Sequence, residues 1–188
     1  MARPRSDERR SAIMAAAVRV IASDGLAAAT ATIAKEAGVS NGSLFTYFET
    51  KSELLNALYM ELKSEMADAV LGGLPAGHDI RRQIFHMWTN WLRWATSFPE
   101  KRRTIARLEV SDEITLESRQ TARQAMAGIS EILNRGRANG PMRDAPKGFV
   151  VGLMSALADT TVDFMIRDPA NAEKHSITAF EGMWRMLG

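Results

Sequence analysis

Asn41, Ser43, Thr46 and Tyr47 put one amide and three hydroxyls on a single short stretch, Asn41-Gly42-Ser43-Leu44-Phe45-Thr46-Tyr47. The chemistry open to such a set is hydrogen bonding to base edges and phosphate oxygens. An Asn amide pairs bidentately with adenine, a Thr methyl touches a thymine methyl, and hydroxyls serve base or phosphate. Catalytic chemistry has no comparable cluster. His78, His86 and His175 are scattered without metal-ligand spacing, and there is neither a glycine-rich phosphate loop nor a nucleophile beside a base. The chain has no Cys, so thiolate metal sites, disulfides and cysteine nucleophiles are excluded. The expectation is a chain without metal, cofactor or enzymatic activity.

Those polar side chains need a helix that turns them outward, and the flanking residues supply one. Ile33, Ala34 and Ala37 are apolar at helical spacing, and Gly38 ends that helix because glycine enters the left-handed conformation cheaply. Val39 plugs the angle, and Ser40 is a good N-cap for the next helix. Leu44 and Phe48, four apart, point back at the first helix. Asn41, Gly42, Ser43, Phe45, Thr46 and Tyr47 are left outward. Two short helices around a tight turn, with a small, hydroxyl-rich outer face, suit a helix lying in the DNA major groove.

Ile33-Ala34-Lys35-Glu36-Ala37-Gly38-Val39-Ser40, then Gly42-Ser43-Leu44-Phe45-Thr46-Tyr47-Phe48, then Lys51-Ser52-Glu53-Leu54-Leu55, stand in register. With these three pieces, residues from about Arg9 to Leu62 resemble the DNA-binding domain of the TetR/AcrR family of transcriptional regulators. The resemblance covers roughly the first third of the chain. It implies an all-α protein with a helix-turn-helix DNA-binding domain over 1–50 and a ligand-binding and dimerisation domain over 51–188. Two positions depart from the family pattern. Ala29, Thr30 and Ala31 stand where many relatives resemble Thr-Val-Arg, so a guanidinium reader of guanine is missing, and Phe45 replaces a tyrosine. Direct readout then rests chiefly on Asn41 and Thr46, with DNA shape contributing more.

Further DNA contacts are expected around this core. Gly42 lets the backbone come close, Tyr47 sends its hydroxyl to phosphate, and Ser40 opens the helix. Lys51 adds charge to the free N–H groups at the start of the fourth helix. Thr30 and Thr32 are candidates for phosphate. Arg3 and Arg5 form an N-terminal arm that either lies along phosphates or is a solvated tail. Net charge is only +2, so the local arrangement, not bulk charge, points to nucleic acid.

Proline and glycine punctuate the rest. Pro4, Pro75, Pro99, Pro141, Pro146 and Pro169 all fall between periodic apolar segments, which is where a helical protein places them. About nine helices are predicted. The first runs from Asp7, capped by Ser6, to Ser23. The second and third make the motif, and the fourth opens on the capping box Thr50-x-x-Glu53 and ends at Gly72-Gly73. Five more follow at about 79–97, 99–111, 116–138, 147–167 and 170–186. No apolar run approaches the length of about 18 residues that spans a bilayer, and no secretory signal is present, so a cytoplasmic location and no membrane partner are expected.

The later helices carry the remaining candidates. Phe85, Trp88 and Trp91, with Met126 and Met154, either fill a core or line a pocket for a flat or greasy effector. Asp159 and Asp163 either pair with Arg103 or Arg107 or face a cationic ligand. The basic run Lys101-Arg102-Arg103, followed by Glu109, Asp112 and Glu113, reads as a solvated face. The last two helices are apolar on more than one side, with Phe149, Phe180, Met183 and Trp184 alongside the small Gly152 and Ala156. That surplus suggests a second copy forming a four-helix interface, and the resemblance implies the same homodimer. The functional expectation is a repressor on a palindromic double-stranded operator, released by a small hydrophobic effector. A helical interaction protein without specific DNA binding and an all-α enzyme are the alternatives.

Overall fold

The computed structural model of this chain describes residues 3–77 and 79–188, with side chains from residue 6 onward. Its regular structure is helical throughout the described residues. The order is α1 Arg3–Asp24, α2 Thr30–Glu36, α3 Asn41–Tyr47, α4 Lys51–Leu71, α5 Ile80–Ser97, α6 Pro99–Glu109, α7 Leu116–Ala125, α8 Ala127–Gly136, α9 Lys147–Arg167, a short 3-10 turn at Pro169–Asn171, and α10 Ala172–Leu187. Two compact units share the chain, Met1–Ser64 with Phe98–Ala125, and Glu65–Ser97 with Met126–Gly188. Packing therefore does not divide at residue 50. The first half of α4 and all of α6 and α7 belong with the N-terminal helices.

The first unit is built on the α1 stripe. Ile13, Ala16, Ala17, Val20 and Ile21 are all buried, as their helical spacing predicts. Two polar groups on α6 brace this helix. Thr104, fully buried, donates its hydroxyl to the Val18 carbonyl at 3.0 Å. One turn on, the Arg107 guanidinium donates to the Ile21 carbonyl at the end of α1. Arg107 thus has a backbone partner on α1.

Helix ends follow local chemistry, with three differences from the expectation. Glu53 N–H donates to the Thr50 hydroxyl at 3.0 Å, the first half of the capping box. The Glu53 carboxylate reaches one residue beyond the cap, to Glu49 N–H at 2.6 Å. Helix α1 opens at Arg3, not at Asp7, so Arg3 and Arg5 stand on helical backbone in place of an irregular arm, and their side chains lie outside the described residues. His78 also lies outside them. The long seventh helix is interrupted at Met126, whose φ of −87° and ψ of 3° leave the helical region. The break falls where the chain passes from one compact unit to the other, and it turns nine expected helices into ten among the described residues.

In the second unit, α5 is strongly amphipathic and buries Ile84, Met87, Trp88, Leu92, Trp94 and Ala95. Its polar residues close the C-terminus of α4. His86 Nε2 lies 2.8 Å from the Gly72 carbonyl, and Asn90 Nδ2 donates to the carbonyls of Val70 and Gly72 at 3.2 and 2.9 Å. These carbonyls have no intrahelical partner, so side-chain donors satisfy them. Helix α9 is the outlier. It is long and apolar enough, by length and composition, to cross a membrane, yet only 22% of its most apolar window is buried. A search for an unbroken apolar run misses it because Asp159 and Asp163 interrupt the pattern.

Candidate nucleic-acid interface

Helices α2 and α3 meet in the geometry that their sequence dictates. Gly38 has φ +68°, a region that costs a residue with a Cβ. Its N–H donates to the Lys35 carbonyl at 3.1 Å and Val39 N–H to the Ala34 carbonyl at 2.9 Å. This is a complete Schellman ending. A Cβ at Gly38 would meet nothing within 4 Å, so the glycine is there for its dihedral angle and not for space. Ser40 then caps α3, its hydroxyl oxygen accepting from Ser43 N–H at 3.0 Å.

The two anchors of α3 point inward. Leu44 is 0% and Phe48 2% exposed, and burying two such side chains stabilises the unit by about 1.5–3 kcal/mol each. The Arg10 guanidinium lies 5.5 Å from the Phe48 ring centroid and is paired with Glu61 at 3.1 Å. With the anchors fixed, Asn41, Gly42, Phe45 and Thr46 are exposed, and Ser43 and Tyr47 half-buried. The face therefore contains the residues that their spacing put there.

Details refine individual roles. The Thr46 hydroxyl donates back to the Gly42 carbonyl at 3.3 Å, and the residue is exposed. Phe45, 39% exposed, offers an apolar edge suited to sugar or thymine methyl. A Cβ on Gly42 would meet nothing within 4 Å. No intramolecular contact requires that glycine, although glycine inside a helix is unfavourable.

The flanking candidates divide. Thr30 is half-buried and Thr32 exposed at the start of α2. Ala29 brings no side-chain acceptor to that helix end, so a phosphate oxygen suits its free N–H groups. Lys51 is not a purely free cation: its ammonium donates to the Leu26 carbonyl at 2.6 Å, joining the start of α4 to the α1–α2 connection. Lys35, exposed on α2, is a cation near the motif that was not singled out from the sequence. Its position between Ala34 and Glu36, off the buried Ile33–Ala34 face, was the available signal.

The candidates in the second unit are more dispersed. Trp88 is buried, and its indole N–H donates to the Ser176 carbonyl and hydroxyl, both at 3.2 Å. Phe85 meets the buried Phe180 edge-on, with ring centroids 4.7 Å apart. Those two aromatics are thus packed against α10. Trp91, Met126 and Met154 are half-buried, and Asp159 is exposed. Of the residues expected at a subunit interface, Phe149, Gly152 and Ala156 are exposed and Trp184 is half-buried. Phe180 and Met183 are 2% and 1% exposed. They are core residues, a correction that follows from α10 packing on both α9 and α5, with the Phe180 ring against Phe85 and Trp88. Among the described residues no group of His, Asp and Glu could hold a metal ion.

Comparison with known proteins meets this geometry at the same residues. The family model of bacterial regulatory proteins, tetR family, matches residues 13–58, which run from the α1 stripe to the buried Leu58 of α4. The HTH-type transcriptional regulator BetI of Stenotrophomonas maltophilia (strain R551-3) is 41% identical over 78 residues, a match spanning 40% of each chain. A TetR family transcription regulator of Marinobacter aquaeolei VT8 is 25% identical with a TM-score of 0.87, covering 98% of both chains. A tetR family protein of Shewanella sp. PV-4 is 26% identical with a TM-score of 0.82, covering 94% of this chain and 96% of that one. The motif carries the sequence likeness and the whole helical order carries the structural likeness: residues 13–58 match the tetR family of bacterial regulatory proteins, and the whole chain is similar in fold to solved tetR family regulators.

Proposed function

We propose that this protein is a ligand-responsive transcriptional regulator that binds a palindromic operator as a homodimer and acts as a repressor released by a small hydrophobic effector. The observation that carries the DNA reading is the division of α3: Leu44 and Phe48 buried, Asn41, Gly42, Phe45 and Thr46 exposed. Asn41 reads adenine, Thr46 presents its methyl and lone pairs to a neighbouring base, and Gly42 lets the backbone approach. Thr30, Thr32 and Lys35 supply phosphate contacts. Two copies of α3 would enter successive major grooves about 34–36 Å apart.

The dimer reading is supported by α9. Phe149, Val151, Phe164 and Ile166 are large, apolar and exposed, and Ile177 on α10 joins them. Gly152, Ser155 and Ala156 lie exposed between them and would admit a second helix closely. An apolar helix left this open is covered most simply by its own copy. Effector binding draws on Trp91, Met126 and Met154. Helix α4 begins in the first unit and ends in the second, so a shift of α4 is the direct route by which an effector spoils operator spacing. Effector and operator then oppose each other reciprocally.

The test is a salt-titrated binding curve on the DNA upstream of the protein's own gene. Saturable, sequence-dependent binding with a steep salt slope supports the regulator. Weak retention equal on all sequences would instead favour a helical interaction protein, a reading that the alanine at position 31 keeps open.

A further inference from the structure

Helix α3, Asn41–Tyr47, contains no Lys, Arg, His, Asp or Glu. The charges that flank it in sequence do not make up for this. Glu36 pairs with Arg19 at 2.7 Å, and the Lys51 ammonium donates to the Leu26 carbonyl at 2.6 Å. Glu49 lies beyond the C-terminal end of α3, whereas bases are reached from the N-terminal residues of a recognition helix. Lys35 stands on α2, and the first helix of such a motif crosses the sugar-phosphate backbone, where a cation serves phosphate. Guanine shows only the acceptors N7 and O6 in the major groove, and its usual reader is a guanidinium or ammonium. Cytosine shows a donor that suits a carboxylate. Helix α3 supplies neither reader.

What α3 does expose matches A·T pairs. Asn41 and Phe45, four apart, share one row along the helix, and Gly42 and Thr46 share the adjacent row. All four residues are exposed. The Asn41 amide brings one donor group and one acceptor. The N7 and N6–H2 of adenine satisfy both, whereas guanine leaves the amide oxygen without a donor. Phe45, 39% exposed, has no polar atom, and the C5 methyl of thymine is the apolar group on a base edge in this groove. Thr46 adds a second methyl. Its hydroxyl proton goes to the Gly42 carbonyl at 3.3 Å, so its oxygen can only accept and has nothing to give the acceptors of guanine. Ser43 and Tyr47, half-buried, carry hydroxyls that serve phosphate or any base and set no preference. Four helical residues rise about 6 Å, close to two base steps of about 3.4 Å each.

We propose that the part of the operator half-site read directly by α3 is a block of about three consecutive A·T pairs, recognised through one adenine and through thymine C5 methyl groups. The proposal rests on the operator reading above and names the bases which that reading leaves open. A G·C preference elsewhere in the operator then comes from DNA shape or from contacts outside α3.

Selection of the full chain on a random duplex library, followed by fluorescence anisotropy on the enriched sequence, tests it. A·T is expected at every position whose preference is relaxed by Asn41→Ala, Phe45→Ala or Thr46→Ala. The three side chains are exposed, so an unchanged melting temperature checks that each variant folds. Deoxyuridine in place of the thymines removes only their methyl groups, and wild-type affinity is expected to fall about fourfold for each methyl contacted. Phe45→Ala should lose its response to one of these replacements. N6-methyladenine opposite Asn41 is expected to weaken the wild type by about 5- to 150-fold and to leave Asn41→Ala unaffected. G·C at the positions relaxed by these variants, or an affinity unchanged by deoxyuridine throughout the block, would overturn the proposal and leave the operator reading standing. A library from which no sequence is enriched would overturn both.

Discussion

Asn41 and Gly42 are neighbours on α3 with opposite demands. The Asn41 side chain is exposed and takes no part in capping, because Ser40 caps the helix. Asn41→Ala is expected to cost about 1–3 kcal/mol of specific binding and relax specificity at one base position, measured by fluorescence anisotropy on operators substituted base by base. Gly42 is a different case, because no protein atom opposes a side chain there. Gly42→Ala is expected to raise folding stability by about 0.5–1 kcal/mol through helix propensity while weakening operator binding. Thermal melting and anisotropy on one sample would show the two signs. If binding were unchanged, the backbone of α3 would not approach DNA closely.

At the scale of elements, side-chain-to-backbone and side-chain-to-side-chain bonds fix the helices that carry the motif. Thr104 and Arg107 hold α1 from α6, and Lys51 holds the α1–α2 connection from α4. Tyr59 and Lys63 of α4 both reach the Glu109 carboxylate at the end of α6, each at 3.2 Å. Burial of Tyr59, with the Glu109 carboxylate beside it, pushes its phenol up from 10.0 to about 12. A proton held more tightly in the fold than in the open chain stabilises the fold below the unfolded pKa. That contribution is expected to be complete below pH 10.0 and to be lost as pH rises toward about 12. Of the two tyrosines, Tyr59 should ionise only near the upper end of this window. Ultraviolet absorbance titration of the wild type against Tyr59→Phe checks it, and ionisation of Tyr59 at the ordinary pKa would contradict the burial argument.

For the whole molecule, the exposed apolar face of α9 is the feature that a single chain leaves unexplained. Phe149→Glu places a charge on that face without disturbing a buried group, since Phe149 is 56% exposed. The expected outcome is a shift from dimer to monomer by light scattering with an unchanged melting temperature. Operator affinity should fall as well, because two linked recognition helices bind far more tightly than one. Retention of the dimer would move the interface elsewhere on the surface.

The local pieces were legible in the chain because each depends on near neighbours. Gly38 ends α2, Ser40 caps α3, Thr50 opens α4, and the four-residue spacing of Leu44 and Phe48 sets which side of α3 is buried and which is left exposed. Helical periodicity and single-residue dihedral preferences decide such matters within a few residues. Partners far apart in sequence were decided only by tertiary structure. Arg107 bonds the Ile21 carbonyl 86 residues away and Lys51 bonds the Leu26 carbonyl 25 away, where no local pattern marks the acceptor. Phe180 and Met183 fall in the core and Phe149 in solvent, although all three look equally apolar in the sequence. Periodicity states that a helix has an apolar stripe, but only the packing of one helix on another decides which part of a wide stripe is covered.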